Sequence, residues 1–332
     1  MTPSLPTTSA DSKILKQRYR REFTWVTIAL CLLTALATYF INFSTLNNAF
    51  YAQALNLTHT RPALPEIVII VIDDKSLNEV GRWPWRRFIH AQLLEQLKQA
   101  KVVGFDITFL DESDPADDQA FTQAIKQHGR VVLSNFLNAP LFTEPINPYL
   151  PFTTEAKQLG YINIPIDSDG LVRRVRLSVE LPNQEQALHF SLALLRAAGE
   201  EALVERSLSR SSFNKTRTPG AVNNHTSPDV TPPIAQQVPE EFQLIPFAGP
   251  PNHFQTISYS DVLNLRVNPQ FFANKYVIIG AWATGLGDKF PTPTTSQSLN
   301  MSGVEILSNI LQTTIEDSWN TEANKPLTLA FS

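Results

Sequence analysis

The 332-residue sequence contains a single cysteine, Cys31. One cysteine excludes an intramolecular disulfide and any thiolate metal cage. Histidine is sparse too: the six are scattered, and none forms the closely spaced pair that a zinc site draws on. No structural metal and no cofactor is expected. Charge of one sign is also lacking. The 27 basic and 31 acidic residues leave a net charge of -4, which gives no electrostatic footprint for nucleic acid. The chain has no Gly-x-Ser-x-Gly and no Walker A motif. Gly285-Leu286-Gly287-Asp288 lacks dinucleotide-fingerprint spacing, so its glycines read as turn positions. Nothing commits the sequence to catalysis. Hydrophobic residues at 43% do allow a substantial core, in one large domain or two smaller ones.

A long uncharged run is present. Residues 23–46 read FTWVTIALCLLTALATYFINFSTL, and about 20 apolar residues suffice to cross a bilayer. Lys13, Lys16, Arg18, Arg20 and Arg21 precede it, and no Lys or Arg follows until Arg61. By the positive-inside rule residues 1–22 are cytoplasmic and the bulk of the chain lies outside the membrane. Trp25 and Tyr39 suit interfacial positions. The alternative is a cleaved signal peptide with Ala35-Leu36-Ala37 at the cleavage site, but the apolar run continues to Phe43. An uncleaved single-pass anchor is the expectation.

After a polar stalk at 47–65 the pattern alternates. Val/Ile-rich strands are expected at 66–73, 102–109 and 131–136, with helices at 86–100 and 115–128 between them. Pro115 suits the first turn of the second helix and Gly129 its stop. The unit β-α-β-α-β implies parallel strands. Asp167-Ser168-Asp169-Gly170, between 160–165 and 171–180, signals a β-hairpin. A helix is expected at 190–198, a disordered insertion at 206–240, a helix opening at Ser258, a strand at 276–281 and a final helix at 304–314. The fold class is α/β: a largely parallel sheet with flanking helices and a β-hairpin excursion, preceded by one transmembrane helix. The tail at 317–332 resembles the start of a second span.

The first strand ends on Asp73 and Asp74, and Asp106 lies near the end of the second. Carboxyl ends of parallel strands are where such sheets hold ligands. Carboxylates there suit a divalent cation, or they cap helices and order loops. Trp83-Pro84-Trp85 is rigid and aromatic. It either lines a pocket, with Arg82, Arg86 and Arg87 pairing Asp73, Asp74 or an anionic ligand, or packs a helix onto the sheet.

Taken together, these stretches resemble a known family, the CHASE domain of the second type, an extracytoplasmic sensory module of bacterial receptors. The resemblance is carried by VIIVIDDKSLNEVGRWPWRRFIHAQLLEQL, VVGFDITFLDESDPADDQAFTQAI, GYINIPIDSDGLVRRVRL, FSLALL, LIPFAGPPNHFQTISYSDVL, YVIIGAWATGLGDKFPTP and MSGVEILSNILQT, in family order over residues 66–315. It implies an inner-membrane-anchored sensor for an unknown small molecule or envelope protein, with further spans and a cytoplasmic output domain that this chain does not contain. A homodimer is expected by analogy. Asp73, Asp74, Arg82, Trp83, Trp85, Asp106 and Asp288 are the candidate ligand-binding residues. The rival readings are an extracytoplasmic metal-dependent hydrolase using Asp73, Asp74 and Asp106, and an interaction module docking through Trp83 and Trp85.

Overall fold

Ile67–Ile72 reads IVIIVI, and every one of its side chains is buried. A strand apolar at successive positions needs cover on both faces, as a parallel sheet between helices provides. The computed structural model describes residues 9–40, 61–138, 144–216, 242–295 and 299–319. The chain divides into two units, Met1–Ala54 and Leu55–Ser332.

The first unit contributes one described helix, α1, Ser9–Phe40. Its side chains are described over 19–34, where Phe23, Trp25, Val26, Leu30, Leu32 and Leu33 are all exposed. Among the described residues no helix is long and apolar enough to cross a membrane. The expected span, 23–46, extends beyond the side chains that are described.

The second unit runs, in chain order, β1 (Ile67–Ile72), α2 (Asp74–Val80), α3 (Arg87–Gln96), β2 (Val102–Asp106), α4 (Pro115–His128), β3 (Val131–Leu137), β4 (Pro145–Ile146), α5 (Leu150–Glu155), β5 (Gln158–Tyr161), β6 (Arg174–Arg176), β7 (Ser178–Glu180), β8 (Gln186–Leu188), α6 (Phe190–Ala197), α7 (Glu201–Thr216), β9 (Phe242–Leu244), β10 (Gln255–Ser258), α8 (Tyr259–Leu263), β11 (Tyr276–Ala281), β12 (Lys289–Phe290), β13 (Met301–Ser302) and α9 (Gly303–Ile315). The main sheet has the order β10-β1-β11-β2-β3, with β5 parallel and β4 antiparallel to β3. The pairings from β10 to β3 are all parallel.

Register sorts the side chains into two cores. Val68, Val277, Val103 and Val131 line up across four strands, and Ile70, Ile279, Phe105 and Leu133 do the same two residues on. These rows belong to the core shared with α3, α4, α5 and α8. Ile69, Ile278 and Val132 point the other way, into the core with α6, α7 and α9. Each fully buried aliphatic side chain in such a row contributes ~1.5–3 kcal/mol.

Local signals placed α4 well. Asp114 accepts from the Ala116 and Asp117 amides as N-cap, Pro115 opens the helix, and Gly129 ends it at φ 70°. Two expectations need correction, and the strand order adds a third finding. The segments flanking Asp167–Gly170 do not pair with each other. That stretch is a tight turn whose Asp167 and Asp169 hold the buried Arg173 guanidinium at 3.0 and 2.6 Å, and the hairpin is β7 with β8. The disordered insertion does not begin at 206. Helix α7 continues through Thr216 with Val204 and Leu208 in the core, and 217–240 lie outside the described residues. Strands β1 and β2 are not neighbours, because β11 lies between them.

Candidate functional site

The C-terminal edge of the sheet gathers the expected site residues, but in two separate groups. Strand β11 intervenes between β1 and β2, so Asp73 and Asp106 are two strand spacings apart, about 10 Å. Alternation along β2 also sets Asp106 apart from the Trp-Pro-Trp turn. Asp106 shares the side of Val102 and Gly104, facing α9, whereas the aromatic residues of the Trp-Pro-Trp turn lie with Phe105 on the opposite face.

Around the end of β1 the chemistry is structural. Asp73 is the N-cap of α2. Its Oδ1 accepts from the Ser76 amide at 2.8 Å and from the Ser76 hydroxyl at 2.6 Å, and its Oδ2 accepts from the Ser258 hydroxyl. Ser258 therefore precedes α8 without capping it. Asp74 is exposed in the first turn of α2, where a negative charge suits the helix dipole. Arg82 is exposed. Arg86 and Arg87 reach neither Asp73 nor Asp74. Arg86 forms a bidentate pair with Asp117 at 2.7 and 2.8 Å, and Arg87 lies 4.0 Å from Asp118 and over the Phe109 ring. Asp73→Ala is expected to cost about 2 kcal/mol, a lost cap plus a lost inter-element bond. The measurement is urea unfolding, and an effect below 0.5 kcal/mol, roughly the scale of a neutral surface change, would contradict this structural role.

Trp83 and Trp85 meet edge-on at 5.3 Å after a cis Trp83–Pro84 bond. Trp85 is buried, donates from Nε1 to the Gly81 carbonyl at 2.8 Å, and stacks 4.8 Å from Tyr259. Behind them is His90, which the sequence reading did not single out. It is fully buried among Phe105, Phe109, Phe121 and Tyr259. Burial, with the nearby Arg87 charge, pushes its pKa down to about 3, so the ring is neutral at physiological pH. The Tyr259 hydroxyl lies 2.9 Å from Nδ1. A hydroxyl donating there leaves the ring proton on Nε2, whose surroundings are aromatic ring edges and faces and which has no hydrogen-bond partner. The only sequence signal for this residue was a histidine on the apolar face of α3. These residues form a packed aromatic core joining α3, α8 and the sheet.

The end of β2 is different. The Asp106 carboxylate is partly buried, and among the described residues burial and the Asp288 charge act on it with no hydrogen bond to offset them. Two glycines make its space. A Cβ at Gly280, its partner on β11, would lie 3.3 Å from Oδ2, and one at Gly303, the first residue of α9, would lie 4.0 Å away. Burial first, and then the negative charge of Asp288, pushes Asp106 up to about 7. Asp288 is exposed, and its carbonyl accepts from the Gly303 amide at 3.1 Å. The loop carrying it folds back over the sheet edge. The Trp282 and Ala283 amides both donate to the Ile72 carbonyl, and Gly287 approaches the Ala281 carbonyl so closely that a Cβ would lie 2.6 Å from it. Of the seven candidates, then, only Asp106 and Asp288 are brought together around groups left open to a ligand. Among the described residues, no three His, Cys, Asp or Glu side chains cluster as a metal site would require.

A family model described as CHASE2 domain matches residues 26–331. No curated protein and no solved structure matches the chain.

Proposed function

The chain belongs to the CHASE2 family of sensory domains, and from that premise we propose that it is the extracytoplasmic sensor of a bacterial transmembrane receptor, receiving its signal at the carboxyl edge of the sheet. The observation that carries the location is Asp106: a carboxylate at a strand end, without a donor, beside Asp288 and the first turn of α9. In open parallel sheets this edge is where ligands are held. The exposed apolar side chains of α1, preceded by a cluster of basic residues, support a single-pass anchor in the inner membrane with residues 1–22 on the cytoplasmic side. The signal would be a small molecule or an envelope protein, and a homodimer is the expected assembly. A hydrolase built on Asp73, Asp74 and Asp106 is disfavoured, because Asp73 is consumed as a cap and Asp106 lies two strand spacings from it.

A ligand shifts a sensor only through different affinities for its two states. The test is a thermal-shift screen of residues 61–319, which fall within one unit, against divalent cations and a metabolite panel. Wild type is expected to show a saturable stabilisation, about 2.7 kcal/mol at a hundredfold excess over Kd, that Asp106→Asn removes while remaining folded. Stabilisation undiminished in Asp106→Asn would move the site elsewhere. No shift with any compound would favour a protein signal over a small molecule.

A further inference from the structure

Helix α9 is apolar over much of its surface, yet it carries a buried polar row. Glu305, Asn309, Gln312 and Glu316 recur at intervals of four, three and four, which places them on one helix face. The first three are at most 1% exposed. Such side chains are costly to bury unless bonded, and their partners come from two other segments. Glu305 accepts from the His253 amide at 2.9 Å, and Asn309 accepts from the Ala248 amide at 2.8 Å. Gln312 accepts from the Leu64 amide at 3.2 Å and donates to the Pro62 carbonyl at 2.9 Å and to Glu316 at 2.9 Å. Glu316 pairs with Arg61 at 2.5 Å, and Arg61 also bonds Ser318 and the Pro246 carbonyl. The His253 ring closes the circuit on the Arg61 carbonyl at 2.7 Å.

The C-terminal end of α9 and the Glu316 that follows it therefore grip residues 61–64, the first described residues of the sheet domain, beside Ser318 near the last described ones. The N-terminal end of the same helix lies beside the Asp106 carboxylate, whose Oδ2 would be 4.0 Å from a Cβ placed on Gly303. Thirteen residues at 1.5 Å each make this one rigid element about 20 Å long. We propose that α9 is the output lever of the domain, coupling the acidic sheet edge at Asp106 and Asp288 to the 61–64 segment through the Gln312 and Glu316–Arg61 contacts. This rests on the sensor reading for its purpose. A buried polar row that only stabilised α9 would show no such coupling.

The test is a double-mutant cycle in the full-length protein in nanodiscs at fixed pH 8, read by amide hydrogen exchange of the peptide covering 61–66. Asp106→Asn perturbs one end of the lever. Gln312→Leu breaks the grip at the other, and Arg61→Gln does so at a half-exposed position if Gln312→Leu fails to fold. Exchange in α4, on the opposite face of the sheet, serves as the reference for global stability. Asp106→Asn is expected to change exchange of 61–66 relative to α4 by about threefold or more, as a modest coupling energy implies. In either grip variant the same substitution should leave that ratio within experimental error. No change in 61–66 in the wild-type background, or an equal change in the grip variants, overturns the lever. Neither outcome depends on finding a ligand, so failure of the ligand screen and failure of the cycle are separate results.

Discussion

Gly160→Ala should destabilise the 61–319 domain by about 3 kcal/mol, at the upper end of the overpacking range, seen as a lower urea midpoint at unchanged m-value. A Cβ at this position in β5 would lie 2.5 Å from Phe190 Cα, 2.9 Å from Ala193 Cβ and 3.1 Å from the Phe190 nitrogen. The first and last of these are backbone atoms at the start of α6, so relief requires the helix to move as a body. That helix buries Phe190, Leu192, Leu194 and Leu195 in the core it shares with α9. Gly104 on β2 provides the control. Its Cβ would meet Leu194 Cδ2 and Phe190 Cζ at 2.7 Å, both the far ends of side chains, which can give way without the helix backbone moving. Gly104→Ala should therefore cost less, about 1–2 kcal/mol. Equal or inverted costs would mean that α6 is not fixed against the sheet by its backbone at Gly160.

That contrast also shows what a sequence reveals. The strands IVIIVI and YVIIGA and the helix at 115–128 were legible because their signals are local: unbroken apolar runs, an Asp-Pro start, a Gly stop. The order of parallel strands was not legible, since nothing in β1 or β2 announces that a strand from nearly two hundred residues later lies between them. Helix α2 was overlooked because seven residues give too short a period, although Asp73 followed by Ser76 was its cap signal. The Ser-rich second half of α7 resembled a flexible insertion, and the helix's place in the core rests mainly on Val204 and Leu208.

The site followed the same rule. That Asp73 caps a helix was one of the readings open from sequence, because capping is a local act. The arginines flanking the Trp-Pro-Trp turn had Asp73, Asp74 or an anionic ligand as their open partners, yet Arg86 and Arg87 take Asp117 and Asp118 at the start of α4. Only tertiary packing chooses between such partners. The division of Asp106 from the two tryptophans by the sheet depends on side-chain parity along β2. Parity was in principle readable from Phe105 and Asp106 being consecutive, once the strand's extent was known.

Asp106→Asn should make the domain more stable at alkaline pH, which is unusual for the loss of a charged group. With a folded pKa of about 7 against an unfolded value near 3.8, the native state holds the extra proton between those values. Stability linked to Asp106 is therefore full below pH 4, declines as pH rises from 4 to 7, and stays low above 7. At 1.36 kcal/mol per unit the shift sets a ceiling of ~4 kcal/mol. Partial access to water reduces this, and the positive end of α9 favours the anion by a further ~0.3–1 kcal/mol, so about 2 kcal/mol is the expected gain for the variant at pH 8. Asparagine does not titrate, so the two proteins should converge near pH 4. Glu305 is also held above the usual carboxylate range by burial, but it contributes to both proteins and cancels in their difference. The measurement is urea unfolding of both proteins from pH 4 to 9. A variant less stable than wild type at pH 8 would mean that the α9 dipole outweighs burial and that Asp106 serves as an anionic brace for the helix. A wild type that loses stability with rising pH, matched by a flat variant, would show that the sheet edge holds a carboxyl group under electrostatic strain, one that a cationic or hydrogen-bonding signal could relieve.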